Sequence, residues 1–389
     1  MAVKITIIGW YGTETIGDRA ILAGIFTFFK KAFGEFKVNL GSLYPFFTQR
    51  TLNEDHNFWE ESCNHTFPVQ LFDSKKVQEL DKAIKDSDLV VMGGGPLMHI
   101  EPLFMVEYAL KKAKKLGKTT ALLGCGVGPI FSKKFKKSLI NIANSSDLIL
   151  LRDSFSKKYL EDIFDEYAAT LQKKIYLSLD PAVQCAEDFN RLFRKDVELD
   201  TIAVNLRDFP QEYSKDSKDR KNIDINKKLY EFVDFLASNF SQYNISLVPM
   251  HYFHIGNDDR EFLNKIRFDL DKKNISVHNK PLSMTETLQV YSQAKINIGM
   301  RFHSVVLQTM VSGKNFVLDY TEPNKGKIAG FLNDIDPAGF YSDKYICLQS
   351  DEISTSKLSA ITFEKTFSPE KELVDSKLET YTNCLKMLL

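Results

Sequence analysis

Short apolar runs alternate along the chain with segments in which apolar residues recur every three or four positions. The runs predict buried β-strands, and the periodic segments predict amphipathic α-helices. In the first half we expect helices at residues 19–32, 107–116 and 133–144, and strands at residues 3–8, 37–43, 88–92, 119–123, 148–151 and 175–179. In the second half we expect strands at residues 201–206, 245–250, 275–278, 295–298 and 316–320. Such alternation is typical of repeated βαβ units, which assemble into parallel sheets.

The alternation is interrupted once, by a polar stretch at residues 184–199. A chain of 389 residues with 43% hydrophobic residues is long enough to form two cores. We therefore expect an α/β protein with two Rossmann-like, doubly wound domains that face each other across a cleft. The expected domains are an N-terminal one at residues 1–190, a C-terminal one at residues 200–365, and a final helix at residues 366–389 that packs back on the first domain.

The composition gives no reason to expect a nucleic-acid-binding, disulfide-rich or membrane-spanning protein. Lysine plus arginine equals aspartate plus glutamate, at 51 each, so the net charge gives no reason to expect a nucleic-acid partner. The cysteines are scattered without a Cys-x-x-Cys pair, and neither a disulfide framework nor a metal site is expected. The first apolar run is too short for a signal peptide, and no run reaches the roughly 18 residues that span a bilayer. We expect a cytoplasmic protein.

The most informative stretch is a predicted strand that stops at Gly299 and is followed by Arg301 and His303. In an open α/β sheet, ligands bind beyond the carboxyl ends of the strands, and the apolar run after His303 predicts a helix whose N-terminus favours negative charge. Arginine offers a fixed charged fork for a carboxylate or phosphate, and histidine exchanges a proton near neutral pH. The pattern favours an anion-binding site, with a structural Arg–His pair as the alternative.

Three glycine-rich loops follow predicted strands of the first domain, and they contain Gly12 and Gly17, Gly94 and Gly95, and Gly126. Glycine lets backbone amides approach a ligand closely. Because the strands are expected to be parallel, the loops should lie at one edge of the sheet and form a shared binding edge. Ordinary turn formation is the alternative for each loop taken alone. The spacing differs from the dinucleotide fingerprint and there is no Walker lysine, which disfavours NAD and ATP.

Together these motifs resemble the polysaccharide pyruvyl transferase family, over roughly residues 3–335. The matching motifs are Gly9-Trp-Tyr-Gly12 with Gly17-Asp18, the triple glycine at 93–95, Gly-x-Gly-x-Gly-Pro at 124–129, Arg152-Asp-Ser-Phe-Ser156, Asp180-Pro-Ala182, Asn205-Leu-Arg207, and Gly299-Met-Arg-Phe-His303 with Tyr320 and Lys325 downstream.

The chain also departs from the family pattern. Glu14 and Thr15 stand where glycine and asparagine are more common, Arg19 replaces an acidic residue, and Asn315 replaces a proline. Most of these changes fall in the N-terminal loop, so they affect the expected acceptor more than the expected donor.

The resemblance implies a GT-B-like fold and a defined reaction. An enzyme of this family moves the enolpyruvyl unit of phosphoenolpyruvate onto a saccharide and closes it into a pyruvate ketal, during the biosynthesis of bacterial cell-surface polysaccharides. Phosphoenolpyruvate is then a co-substrate, and no cofactor is expected. The acceptor is a saccharide that is free or lipid-linked.

The same resemblance assigns roles to residues of this chain. Arg207 and Arg301 are expected to hold the carboxylate and phosphate of the donor bidentately. His303 is expected to give or take a proton. Asp18 and Asp180 are expected to assist it, with capping and turn formation as the alternative.

Further substrate contacts are expected from Phe302, Lys325 and His251. Lys325 either touches phosphate or is an ordinary exposed lysine. His251 and His254 lie in a loop without a third fixed ligand, so His251 is assigned to substrate and no metal is expected there.

Two other functions remain open at this stage. One is a GT-B glycosyltransferase that uses a nucleotide sugar, and the other is a catalytically silent carbohydrate-binding relative. Lysine clusters at residues 111–115 and 133–137 predict either a solvated face or a surface for peripheral contact with the inner membrane.

Overall fold

The computed structural model describes residues 2–64, 66–171, 173–209, 225–321, 323, 325–351 and 365–389. The chain forms two compact units. The first contains Met1–Glu14, Asp18–Cys185 and Glu370–Leu389, and the second contains Thr15–Gly17 and Ala186–Pro369. Within the described ranges, no helix combines the length and apolar character needed to cross a membrane.

The first unit is built on an eight-stranded sheet. Its strands are β1 Val3–Ile8, β2 Phe36–Ser42, β3 Val69–Asp73, β4 Leu89–Gly93, β5 Pro96–Leu97, β6 Thr119–Val127, β7 Leu148–Leu151 and β8 Ile175–Leu177. The order is β3-β2-β1-β4-β6-β7-β8, with β5 beside β6, and every pair is parallel. The central strands are buried apolar runs because parallel sheets are covered on both faces.

Helices connect these strands. They are α1 Ile16–Phe33, α2 Pro45–Glu54, α3 His56–Cys63, α4 Val77–Lys85, α5 Leu103–Lys115, α6 Lys133–Asn144, α7 Ser154–Glu166 and α8 Ala182–Leu192. The boundary between the units at Cys185 and Ala186 falls within α8.

One sequence-based expectation for this sheet was wrong. The strand expected to end at residue 123 continues through the glycine-rich segment to Val127, where it pairs with β5. The register shifts between Leu123 and Cys125, so the bulge absorbs Gly124 and the strand resumes. Strand β3 was not expected at all.

The second unit is a six-stranded parallel sheet in the order β11-β10-β9-β12-β13-β14. Its strands are β9 Leu199–Asn205, β10 Asn244–Leu247, β11 Ile275–Val277, β12 Ala294–Gly299, β13 Asn315–Asp319 and β14 Tyr345–Cys347. Its helices are α9 Ile225–Asn239, α10 Asp259–Leu270, α11 Met284–Gln293, α12 Phe302–Val311 and α13 Lys327–Ile335. The predicted α/β class with two parallel sheets is confirmed.

The last helix, α14 Lys371–Lys386, belongs to the first unit. The Tyr381 hydroxyl donates to the Leu179 carbonyl at 2.7 Å, and the Ser178 hydroxyl donates to the Lys377 carbonyl at 2.6 Å. The Tyr381 ring also stacks on Phe28 with 4.1 Å between ring centroids. Helix α14 is therefore an integral part of the core of the first unit.

Candidate active site

The candidate site lies at the carboxyl edge of the sheet of the second unit. Strands β9, β12 and β13 are neighbours and parallel, with Gly299 opposite both Asn205 and Val317. The residues that follow these strands therefore meet at one edge. They include Arg207 after β9, Arg301 after β12 and Tyr320 after β13.

Asn205 fixes the backbone at Arg301. The side chain of Asn205 is fully buried, and its Oδ1 accepts a hydrogen bond from the Arg301 N–H at 3.0 Å, while its Nδ2 donates to the Val248 carbonyl at 2.9 Å. The Ser304 hydroxyl donates to the Arg301 carbonyl at 2.7 Å. Arg301 is the N-cap residue of α12, so these bonds hold it where the helix dipole also favours an anion.

The guanidinium of Arg301 is clamped by Asp259. Its Nε lies 2.9 and 2.8 Å from the two carboxylate oxygens of Asp259, and its Nη2 contacts the same group. Asp259 Oδ2 also accepts from the backbone N–H groups of Met250 and His251 at 3.0 and 3.2 Å. This carboxylate was not anticipated from the sequence. It occupies the Nε side of the arginine fork, so a ligand would meet the Nη1–Nη2 end.

The ion pair sets the charge state of Arg301. Burial alone would lower the pKa of Arg301, but the charge and hydrogen bonds of Asp259 outweigh burial and raise this pKa. Since the carboxylate balances the guanidinium, the pair contributes little net charge to the site.

Arg207 is a second cation at the same edge. Its Nε donates to the Asp208 carbonyl at 3.1 Å, and its guanidinium carbon lies 5.5 Å from the centroid of the Tyr320 ring. Burial and then the charge of Arg301 lower the pKa of Arg207. The site thus holds two partly buried like charges, and an anion bound between them would relieve their repulsion.

Lys327 completes the cluster. Its Nζ lies 5.8 Å from the ring centroids of both Tyr320 and Phe302. Lys325, the lysine expected from the sequence, is exposed, and its contact with phosphate stays a prediction. Helix α13 begins at Lys327, directly after Gly326, where a Cβ would overlap the Thr321 side chain.

His303 lies in the first turn of α12. A Cβ atom at Gly17 would overlap Nδ1 and Cγ of the His303 imidazole, so these two residues are in close contact within the second unit. The ring also lies edge-on to that of Phe302, with 4.9 Å between the centroids. Phe302 itself is buried and also packs on Phe331. The sequence thus placed Gly17, Phe302 and His303 in one site, and the structure brings these three together.

His251 is buried beside this group. Its backbone forms an isolated antiparallel bridge with Thr15, and the Ile16 N–H donates to the Met250 carbonyl at 3.0 Å. Gly256 lies against the imidazole, because a Cβ there would come within 2.8 Å of His251 Cε1. Among the described residues, no group of three or more His, Cys, Asp and Glu side chains is arranged to hold a metal ion.

The predicted residues of the first unit have mainly packing contacts. Asp180 is buried, accepts from Arg152 Nη1 at 2.9 Å and caps the Ala182 N–H at 2.9 Å. Asp18 lies in the first turn of α1, 3.5 Å from the Thr13 hydroxyl. These geometries support capping and ion-pair roles.

The glycines are enclosed by neighbouring side chains and backbone. A Cβ at Gly12, Gly94, Gly95 or Gly126 would come within 3 Å of Ser42 and Tyr44, Ile21, Trp10 and Arg152 respectively. Each glycine therefore has a packing reason to lack a side chain. Their predicted contact with substrate stays a prediction.

The unusual residues of the N-terminal loop are also accounted for. Glu14 has a positive φ of 55°, the region that glycine favours, and its carboxylate pairs with Arg50. Arg19 is buried and donates through Nε and Nη2 to Asp55 at 2.5 and 2.7 Å. The basic residue at position 19 is thus matched by a buried acid.

Known proteins resemble this chain in sequence or in fold. The sequence model of the polysaccharide pyruvyl transferase family matches residues 16–320. No curated protein sequence matches the chain significantly.

Solved structures share the fold at low identity. The UDP-GlcNAc 2-epimerase of Methanocaldococcus jannaschii is 14% identical with a TM-score of 0.59, over 100% of this chain and 99% of that one. The corresponding enzyme of Neisseria meningitidis is 12% identical with a TM-score of 0.57, over 98% and 99%. A glycosyltransferase from Rickettsia africae is 13% identical with a TM-score of 0.51, over 100% and 94%. These likenesses confirm the predicted GT-B-like fold class.

Proposed function

The chain belongs to the polysaccharide pyruvyl transferase family, and from this premise we propose that it transfers the enolpyruvyl unit of phosphoenolpyruvate to a saccharide and closes it into a pyruvate ketal. The product would serve the biosynthesis of bacterial cell-surface polysaccharides.

The observation that carries the proposal is the cation cluster around Tyr320. The positive charges of Lys327, Arg207 and Arg301 all lower the pKa of the Tyr320 phenol. Of these three cations, Arg301 is the one that forms an ion pair with Asp259. Phosphoenolpyruvate presents a carboxylate and a phosphate on a three-carbon skeleton, and such a ligand needs several fixed donors close together. Arg207 and Lys327 supply the excess positive charge, and Arg301 supplies the end of a rigid fork.

The chemistry requires proton transfers in both directions. Protonation of the methylene carbon makes an oxocarbenium-like centre, which a saccharide hydroxyl attacks. Phosphate then leaves, and a second hydroxyl closes the ketal. The imidazole of His303, which contacts Gly17 and Phe302, is suited to carry one of these protons.

We assign the acceptor to the first unit. Its glycine-rich segments lie after β1, after β4 and within the last residues of β6, which are adjacent parallel strands, so these segments share one edge. Phe46 and Phe131, which follow β2 and β6, are 77% and 61% exposed. Exposed rings beside a polar edge are suited to stacking on a sugar.

Peripheral contact with the inner membrane is also a proposal. Several lysines of α5 and α6 are engaged in ion pairs, namely Lys111 with Glu107, Lys112 with Asp81, Lys114 with Asp147 and Lys136 with Glu166. This pairing reduces the charge that these helices can offer to anionic lipids. Sedimentation with anionic vesicles would test the contact.

The test of the proposed function uses phosphoenolpyruvate labelled with ¹³C at C2. Incubation with a panel of saccharides, free and lipid-linked, should release one phosphate per labelled quaternary ketal carbon. Phosphate release should require the acceptor. Thermal stabilisation by a nucleotide sugar, together with none by phosphoenolpyruvate, would favour the glycosyltransferase alternative and contradict the proposal.

A further inference from the structure

The phenol of Tyr320 occupies the centre of the candidate site. Tyr320 follows β13 and is 3% exposed, with its backbone carbonyl held by Gln349 Nε2 at 2.6 Å. Its ring lies 5.5 Å from the Arg207 guanidinium carbon and 5.8 Å from Lys327 Nζ. The charges of both cations favour the ionised form of the hydroxyl. The packing therefore fixes the ring among groups that stabilise a phenolate.

Three different elements bring a positive charge close to this phenol. Arg207 follows β9, Arg301 caps α12 and Lys327 begins α13, while Asp259 on α10 is engaged with Arg301.

The acid nearest along the chain, Asp319, faces away. Its Oδ1 accepts from the Thr321 hydroxyl at 2.6 Å, and its Oδ2 accepts from the Tyr345 hydroxyl at 2.7 Å. Burial by itself would raise the pKa of Tyr320, but the charges of Lys327, Arg207 and Arg301 outweigh burial and lower this pKa.

We propose that Tyr320 is a second proton-transfer residue of this site, with Lys327 as the positioning residue that holds its phenol and stabilises the phenolate. This inference rests on the proposed function. If His303 were the only proton-transfer residue, it would have to deliver a proton to the methylene carbon of phosphoenolpyruvate and also remove one from an acceptor hydroxyl. Two proton-transfer groups on different elements divide that task.

The step balances as follows. The Tyr320 O–H bond breaks, and the electron pair of the C2–C3 double bond forms the new C–H bond at C3. The first hydroxyl adds to C2 and passes its proton to His303. The C–O bond to phosphate then breaks, and the leaving phosphate takes that proton. The second hydroxyl adds to C2 and returns a proton to the phenolate, which restores both residues.

The first arm of the test is kinetic. Tyr320→Phe keeps the ring and removes only the hydroxyl, so kcat should fall by roughly 100-fold or more while the Kd for phosphoenolpyruvate changes by less than about threefold. Since the phenol must be protonated to act, activity should be lost as pH rises through the pKa of Tyr320. This alkaline limb should be absent in Tyr320→Phe. It should move to higher pH in Lys327→Met, because a stabilising positive charge has been removed.

The matched control is Tyr341→Phe. This variant removes another buried tyrosine hydroxyl of the second unit, which contacts Asn315 Oδ1 at 2.7 Å and Thr309 Oγ1 at 3.2 Å. It should lower the melting temperature and leave kcat and the alkaline limb unchanged.

The second arm needs no turnover. The protein contains 15 tyrosines, and labelling them with ¹³C at Cζ gives resonances of which one should be missing in Tyr320→Phe. In the wild type, that resonance should titrate below the ordinary tyrosine value of about 10. In Lys327→Met it should titrate at higher pH.

The outcomes separate the inference from the proposed function. A Tyr320→Phe variant with near-normal kcat and an unchanged alkaline limb would overturn the role of Tyr320 while the proposed function stands. An assigned resonance that does not titrate below 10 would overturn it as well. A wild-type protein that releases no phosphate from phosphoenolpyruvate with any saccharide would overturn the proposed function, and this inference with it.

Discussion

The imidazole of His303 lies directly against the backbone of Gly17, with no space for a Cβ atom between them. Gly17 is the second residue of α1, where alanine would otherwise suit the helix better than glycine. The absence of a side chain at position 17 is therefore explained by the position of the His303 ring.

The first prediction follows from this contact. Gly17→Ala should displace the His303 ring and reduce kcat by roughly 100-fold, the scale expected for a misplaced catalytic group. Binding of phosphoenolpyruvate, measured by its thermal shift, should persist because the cation cluster is unaltered.

The control is a double-mutant cycle. In a His303→Ala background, Gly17→Ala should cost less than twofold in kcat and should stabilise the protein by up to about 1 kcal/mol, the helix preference of alanine over glycine. An equal loss of kcat in both backgrounds would show that Gly17 acts through something other than His303.

The second prediction concerns Arg207. Its pKa is lowered by burial and by Arg301, so its charge is unfavourable until an anion binds. Arg207→Met should leave the melting temperature of the free protein unchanged or higher, and should abolish the rise in melting temperature that phosphoenolpyruvate produces. Thermal denaturation with and without the ligand measures both effects.

Arg301→Ala provides the contrast. This variant leaves the Asp259 carboxylate buried without its guanidinium, which costs about 3–5 kcal/mol. The free protein should therefore melt several degrees lower, unlike Arg207→Met. Equal melting temperatures for the two free variants would contradict the assigned charge balance.

The third prediction separates two nearby lysines. Lys327 lies over Tyr320 and Phe302, whereas Lys325 is exposed. Lys327→Met should weaken the binding of phosphoenolpyruvate by roughly tenfold or more, the value of a charged hydrogen bond. Lys325→Met should weaken it much less, and calorimetric titration would show the order. The reverse order would contradict the role assigned to Lys327.

The fourth prediction concerns proton transfer by His303. His303→Ala should reduce kcat by roughly two to four orders of magnitude, while donor binding falls much less. The limb that His303 contributes to the pH profile of kcat should be absent in the variant. A near-normal kcat with an unchanged profile would reduce His303 to an anion contact.

The fifth prediction concerns stability and pH. Burial lowers the pKa of His278, whose Nε2 lies 2.8 Å from the Ser246 hydroxyl. The unfolded chain therefore binds this proton more readily than the folded protein, and stability should fall as pH falls below the unfolded value of about 6.5.

His278→Gln should flatten this loss in chemical denaturation between about pH 7 and pH 5. The matched control is His56→Gln, because the His56 side chain is 56% exposed beside Glu60. A slope that His278→Gln leaves unchanged would exclude His278 as its source.

Most strands could be predicted because parallel strands covered on both faces appear as continuous apolar runs. Strand β7 is such a run, and its bounds were predicted exactly as residues 148–151. Strand β3 was missed because it is an edge strand with no fully buried residue and with Gln70 exposed. A partly exposed strand of this kind does not give the continuous apolar run by which the other strands were predicted.

The site was predictable only in part. Arg301 and His303 stood out because they follow a buried strand. Their partner Asp259 lies 42 residues away on another helix, and no local pattern connects it to Arg301. Lys327 was not anticipated, because its position over Tyr320 and Phe302 depends on where α13 begins. Contacts set by tertiary packing cannot be obtained from local pattern.

The hydrogen bond between Tyr381 and Leu179 joins residues that are 202 positions apart in the chain. All six strands of the second sheet lie between these two residues in the sequence. At a synthesis rate of about 5–20 residues per second, the ribosome would need roughly 10–40 s to reach Tyr381 after making Leu179. During that interval the surface around Phe28 has no α14 to cover it. The nascent first unit therefore cannot complete its core until α14 has been synthesised, so its folding should finish after the second sheet has left the ribosome.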